Sequence, residues 1–151
     1  MAYEIKIANI KKIQKIAVEY PEVANRHFGK AISQVLLTAQ RYAQLSAPRD
    51  TSKMAGGWDL EMSFMKGVLK NTTNYAAAVD AGSRPHFVSP QSLKAWAGRK
   101  GLNPFAVAKS IAKHGTKPTM FFGNAVKLAG RFADVTFKKA LDEALNELVK
   151  K

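Results

Sequence analysis

The sequence predicts an α+β fold: a small antiparallel sheet, in essence one hairpin, packed by a long N-terminal helix and a long C-terminal helix, with a two-helix insertion. Three observations predict it. Apolar residues recur every three or four positions on both sides of the chain's middle, the period of helices with one buried face. Between them, Trp58, Leu60, Met62 and Phe64 alternate with Asp59, Glu61 and Ser63, the period of a strand with one buried face. The resulting order, helices, then strands, then helices, is that of helices laid on one face of a small antiparallel sheet. A chain of 151 residues fits one domain spanning 1–151, with the helical insertion at about 89–115.

The elements follow in chain order. "YEIKI" alternates Tyr3, Ile5 and Ile7 with Glu4 and Lys6, which predicts a short strand; Ile10, Ile13, Ile16 and Tyr20 then take helical spacing. Pro21 suits a helix N1 position, and Ala24, Phe28, Ala31, Val35, Tyr42 and Ala43 give the stripe of a helix of about 25 residues that Pro48 stops. After the loop "SAPRDTSKMAGGW" comes the alternating strand. Lys66 and Gly67 are expected to turn the chain, glycine supplying a positive φ, and "VLKNTTNY" to return antiparallel. "YAAAVDAGSRP" is small and apolar until Gly82 and Pro85 break it, and "HFVSP" runs as a loop. Ser89 with Pro90, and Asn103 with Pro104, are N-cap and N1 pairs opening two helices. The first keeps Leu93 and Trp96 on its inner face and stops at Gly101; the second carries Phe105, Val107, Ala108 and Ile111 and stops at Gly115. From about Asn124 a last helix runs to the end, with Phe137, Leu141, Ala144, Leu145 and Leu148 as its stripe and "LVKK" at the negative end of its dipole.

Composition bounds the function. With 24 Lys and Arg against 11 Asp and Glu the formal charge is +13, so an anionic partner is expected, nucleic acid first among them. The absence of cysteine excludes a disulfide framework, a thiolate zinc site and a cysteine nucleophile. No apolar run reaches the roughly 20 residues that span a bilayer, and "MAYEIKIANIKK" lacks a signal-peptide apolar core, so a cytoplasmic site of synthesis and no membrane contact are expected.

Groups that would converge in a catalytic site are scarce. His27, His86 and His114 stand far apart in sequence with no carboxylate at ligand spacing, which predicts no metal site. Asp59 and Glu61 share a strand face, but the solvated one. "AGGW" and "DAGS" match neither phosphate-binding glycine pattern, no nucleophile elbow is present, and no cofactor is implied. The chain reads as a non-enzyme. The competing reading is a basic helix-turn-helix DNA-binding protein built on "LKAWAGRKGLNPFAVAKSIAKHG", in which Lys94, Arg99, Lys100, Lys109 and Lys113 are the candidate nucleic-acid contacts. Lys100 sits where that motif wants a buried residue, and Asn103, Pro104 and Phe105 open the second helix with few base-reading side chains.

Three segments together point elsewhere. "LSAPRDTSKMAGGW" follows a long helix, "NTTNYAAAVDAGSRPH" follows a hairpin, and "GTKPTMFFGNAVKLA" opens a C-terminal helix. In that order they resemble the small tail-completion, or head-tail joining, proteins of long-tailed bacteriophages, also described as minor tail or neck proteins. Ala47, Pro48, Asp50 and Thr51 match the first pattern of that family, with Ser52 where glycine is usual. Tyr75, Ala76, Val79 and Gly82 match the second, with Asp80 for Glu and Ser83 for Thr; Pro118 and Phe121 or Phe122 match the third, though "PTMFF" is longer than the usual spacing.

The resemblance implies a non-enzymatic structural subunit of the virion neck that joins or completes the head-tail connection during assembly. It implies a homo-oligomeric ring touching neck proteins (connector, stopper) and tail proteins (terminator, tube), and a virion location reached by assembly in the bacterial host cytoplasm. The positive charge then lines a DNA channel as a sequence-independent contact with the genome, or meets acidic faces of neighbouring proteins. Candidate interface residues are Arg49, Asp50, Thr51, Lys53, Met54, Tyr75, Gly82, Arg84, Phe121 and Phe122, with Trp58, Phe121 and Phe122 as anchors whose competing role is core packing. Asp50 is expected to cap a turn at Thr51–Lys53, with Pro48 ending the helix before it and Gly56 and Gly57 swinging the chain into the strand.

Overall fold

The computed structural model describes residues 3–50 and 52–150. Its elements are α1 (Ile10–Glu19), α2 (Pro21–Ser46), α3 (Lys53–Gly56), β1 (Trp58–Ser63), β2 (Lys66–Asn71), α4 (Ala76–Ala81), α5 (Pro90–Arg99), α6 (Pro104–His114) and α7 (Phe121–Val149). The fold is α+β and mostly helical, with the two long helices and the single antiparallel hairpin that the periodicity predicts.

The frame is the antiparallel pair α2 and α7. At one end Arg26 Nη1 donates to Glu147 Oε1 at 3.0 Å and His27 Nε2 lies 2.9 Å from Glu147 Oε2; at the other, Ser46 Oγ donates to the Phe121 carbonyl at 3.2 Å. Alanines dominate the seam: Ala24, Ala31, Ala39 and Ala43 on α2 face Ala125, Ala129, Ala133, Ala140 and Ala144 on α7, with Phe28, Val35, Phe137 and Leu141 filling the gaps. Small side chains let two helix ridges approach closely, so helix backbone and Cβ atoms supply much of this core. Ile13 and Ile16 of α1 close its outer side.

Local chemistry sets most of the boundaries. Pro21 opens α2 at N1, and Ala47, which precedes Pro48, is forced into extended backbone (φ −61°, ψ 133°), ending the helix at Ser46. Asn103 caps α6, its Oδ1 accepting from the Phe105 and Ala106 amides at 2.9 and 3.4 Å, with Pro104 at N1. Ser89 holds the matching place before α5 in extended backbone, without a side-chain cap bond.

Three expectations are corrected. Residues 3–7 join no ladder; the hairpin is the whole sheet among the described residues. The alternation there is real, with Tyr3, Ile5 and Ile7 half-buried and Glu4 and Lys6 exposed, but it serves a segment tucked along a cleft of about 600 Å³ lined also by Ile32, Leu36 and Phe137. The hairpin turns at Phe64–Met65, Met65 taking φ 56°, and Lys66 and Gly67 already pair with Ser63 and Met62. Gly67 is needed for close approach and not for a turn, because a Cβ there would come within 2.6 Å of Ile32 Cγ2 on α2. Finally, α7 begins at Phe121, earlier than Asn124, for a reason that lies outside its own sequence and emerges below.

The alanine seam gives a test. Ala129 is fully buried, so Ala129→Leu must push the two helices apart and should cost about 1–3 kcal/mol. Urea unfolding should show a lower midpoint; an unchanged midpoint would mean the seam has room that its burial denies.

Candidate functional site

The three segments that carry the resemblance lie far apart in sequence, and the fold brings them to one place. Ala47, Met54, Ala76 and Phe121 form a second buried cluster, with Ala55, Trp58, Val79 and Phe122 packed against it. The Trp58 ring centroid lies 6.3 Å from that of Phe121 and 5.2 Å from that of Phe122, and Tyr3 meets Phe122 edge-on at 5.4 Å.

Asp80 organises this joint. It is 3% exposed, and both carboxylate oxygens are occupied: Oδ2 accepts from the Tyr3 hydroxyl at 2.6 Å and Oδ1 from the Phe122 amide at 2.8 Å. Its main-chain carbonyl accepts from the Met120 amide at 2.9 Å, while the Val79 carbonyl takes both the amide and the hydroxyl of Thr119, at 3.1 and 2.8 Å. Met120 enters α7 in the left-handed region (φ 53°) with no side-chain cap bond of its own. The cap of α7 is thus supplied by Asp80, whose negative charge sits at the positive end of the helix dipole. This explains the early start of α7: the signal is a carboxylate 42 residues upstream. The same carboxylate keeps the Tyr3 phenol protonated. Its hydrogen bond, followed by burial and the repulsion of its charge, pushes the Tyr3 pKa up to about 12.

Beyond α4 the chain leaves and re-enters the body through a closed gate. Ser83 and Thr116 exchange both main-chain hydrogen bonds, each at 3.1 Å, and their hydroxyls lie 2.9 Å apart. Gly82 (φ 73°) and Gly115 (φ 71°) flank the bridge, and a Cβ on Gly115 would run into the Ser83 carbonyl. The helical arm therefore begins at Arg84, slightly before the expected boundary. Within it, α5 and α6 pack on each other through Ala97 and Ala108.

The loop "SAPRDTSKMAGGW" ties this arm to the body. Asp50 receives Arg99 of α5 in a two-pronged ion pair, Nε to Oδ1 at 2.9 Å and Nη2 to Oδ2, and the Lys100 ammonium reaches the Arg49 carbonyl at 3.4 Å. These contacts hold the Asp50 carboxyl below the usual carboxylate range, the Arg99 hydrogen bonds first and then the charges of Arg99 and Lys100, and raise the Arg99 guanidinium. Asp50 is spent on Arg99, in place of the expected turn-capping role; the N-cap of α3 is Ser52, and Thr51 lies outside the described residues. On the inner side, Asn71 Nδ2 donates to the Met54 carbonyl at 2.8 Å, joining the loop to β2.

The expected interface residues thus divide. Met54 and Phe121, 5% and 3% exposed, are core residues of this chain and are not free to anchor a neighbour; Phe122 and Trp58 are half-buried in the same cluster. Gly82 serves the gate. Arg49, Lys53, Tyr75 and Arg84 remain exposed around the joint, and Lys94, Arg99, Lys100, Lys109 and Lys113 are exposed on the arm. Sequence reasoning missed Asp80 as the organising group; the signal was an acid inside a small apolar run, "AAAVDA". No protein-family model, curated protein or solved structure matches the chain. Among the described residues, no three His, Asp or Glu side chains gather as a metal ion would require, and no helix is long and apolar enough to cross a membrane.

Two outcomes are expected. Because folding raises the Tyr3 pKa, the stabilisation from this group is fully present below its unfolded value near 10 and is lost as pH rises through about 12. Tyr3→Phe should cost about 1–2 kcal/mol at pH 8, and the gap from the parent protein should close between pH 10 and 12; a gap independent of pH would remove the Tyr3–Asp80 bond from the account. Trp58 has a buried indole Nε1 with no hydrogen-bond partner among the described residues. Trp58→Phe should therefore cost no more than about 1 kcal/mol, against about 3–5 kcal/mol for Phe121→Ala, in thermal or denaturant unfolding.

Proposed function

We propose that the protein is a non-enzymatic structural subunit of a long-tailed bacteriophage neck, which joins or completes the connection between head and tail during virion assembly. The observation that carries this reading is the convergence of its three motif segments. Ala47 from the first, Ala76 and Val79 from the second and Phe121 and Phe122 from the third pack in one cluster, and Asp80 of the second binds the main chain of the third. Segments that serve as one joint in the fold are the segments expected to recur together in a family built on it.

The arrangement suits a subunit that assembles. Its rim carries exposed Arg49, Lys53, Tyr75 and Arg84 around the joint, and the hairpin projects Met62 and Phe64, 49% and 53% exposed. Its two-stranded sheet leaves backbone donors and acceptors unpaired at its edges, which neighbouring copies cover when head-to-tail contacts close into a ring. In this reading connector, stopper, terminator and tube proteins of the neck and tail are the neighbours, and the virion is where the protein resides.

The helix-turn-helix alternative gains less from the geometry. The Asn103 side chain is consumed in capping α6, the exposed residues that follow it are Phe105 and Ala106, and Lys100 faces the Arg49 carbonyl. That leaves the start of α6 without side chains that read base edges.

Disruption of the gene in its own genome tests the proposal. Electron microscopy of the lysate should show filled heads and finished tails that are not joined, with joining restored by the parent protein supplied in trans. Joined, infectious particles without the protein would overturn it.

A further inference from the structure

The arm beyond the Ser83–Thr116 gate has a charge pattern unlike the rest of the chain. Residues 84–117 contain seven Lys and Arg and no Asp or Glu, so they carry more than half of the +13 net charge in less than a quarter of the length. Elsewhere the exposed faces mix signs: Lys15 pairs with Glu19, Lys139 with Glu143, Lys70 with Glu61. Solvated helix faces that serve only solubility mix signs in that way. Among the arm's bases, Arg99 is the one that forms an ion pair among the described residues, and it does so with Asp50 of the body.

The placement of the unpaired bases adds a geometry. Phe105, Lys109 and Lys113 follow at four-residue spacing on α6, hence on one face, and Phe105 is 71% exposed. Phe87, 83% exposed, lies in the segment that leads into α5, and Lys94 is exposed on α5. The structure thus presents two ammonium groups on the same helix face as an uncovered aromatic ring, on an arm whose own carboxylates are absent. Lysine binds phosphate as a point charge, and an exposed ring stacks on any base.

The geometry points to the arm as a nucleic-acid binding surface that grips the phosphate backbone without regard to sequence, through Lys109 and Lys113, with Phe105 on the same face of α6, and Lys94 on α5. The occupant is a nucleic acid and not an acidic protein because an uncovered ring, Phe105, shares one face of α6 with the ammonium groups of Lys109 and Lys113, which suits a chain of phosphates and bases. This surface is independent of the neck assignment: it is a property of the isolated subunit and is measured without any particle.

Fluorescence anisotropy of the full protein with a labelled DNA duplex of arbitrary sequence, and with one of its strands, tests it. Binding should weaken steeply with salt and differ little between sequences. The triple variant Lys94→Glu, Lys109→Glu, Lys113→Glu should lose at least tenfold in affinity, with helicity by circular dichroism unchanged. A charge-matched control on α1 and α2, Lys11→Glu, Lys12→Glu, Lys30→Glu, should lose much less. Phe105→Ala should weaken the single strand more than the duplex. Equal losses from the two triple variants would reduce the effect to net charge and overturn the assignment to the arm. Absence of binding to either DNA, or displacement of the DNA by polyglutamate at equal charge concentration, would overturn the nucleic-acid assignment in favour of an acidic protein face.

Discussion

The structure depends on a carboxylate in a place where carboxylates are expensive. Asp80 is almost fully buried, and moving a charged group out of water costs several kcal/mol unless donors replace the water. Here the replacement comes from a phenol, a backbone amide and the open end of a long helix. None of the three is optional for the rest of the fold. The Phe122 amide fixes where α7 begins, and with it the register of the alanine seam against α2; the Tyr3 hydroxyl pins the N-terminal segment over the cleft between the hairpin and the helices. One side chain from the shortest helix but one therefore ties the N-terminal segment and the start of α7 to the central joint.

How much of this was legible in the sequence follows from the range of each signal. Boundaries set by neighbours in sequence were readable: Pro48 stopping α2, Asn103 and Pro104 opening α6, Gly115 ending it. The strand β1 was readable because alternation is local, and the charges on its outer face, Asp59 and Glu61 with Lys70 across the ladder, sit where the period puts them. The expected buried face is covered only at Trp58 and Leu60, because the hairpin projects past the helices and leaves Met62 and Phe64 exposed. What failed depended on contacts across the fold. The start of α7 is set by Asp80, and the place of the hairpin turn by how closely Gly67 must approach Ile32 and Leu36. "YEIKI" had the right period for a strand but no partner strand, so burial of Ile5 and Ile7 satisfied the pattern without a ladder.

The crowded stretch from Ser46 to Trp58 illustrates the same division for the candidate site. Its density of polar and turn-forming residues suggests a binding loop, yet nearly every unusual residue is accounted for inside the chain. The Ser46 hydroxyl bonds the Tyr42 and Phe121 carbonyls, Ala47 and Met54 pack in the second cluster, and Asp50 receives Arg99. The loop is a junction: it touches the start of α7, β2 through Asn71, and the arm through Arg99 and Lys100. Arg49 and Lys53 remain exposed beside these committed residues.

That junction also explains how the arm relates mechanically to the body. The α2–α7 seam buries a continuous apolar stripe, whereas the arm is attached by the Ser83–Thr116 bridge at its root and by the polar contacts of Arg99 and Lys100 at its side. Attachments of the second kind contribute little stability and weaken with salt, so the arm belongs to the part of the molecule that opens at lower free energy than the seam. Its basic face needs no such rigidity, since point charges on flexible lysine stems adapt to a phosphate chain wherever it lies. The rigid requirement is on the root, where two glycines in left-handed backbone flank a bridge closed at both main-chain bonds. The chain thus separates a joint that fixes the N-terminal segment and the start of α7 from a basic arm held by one backbone bridge and the polar contacts of Arg99 and Lys100.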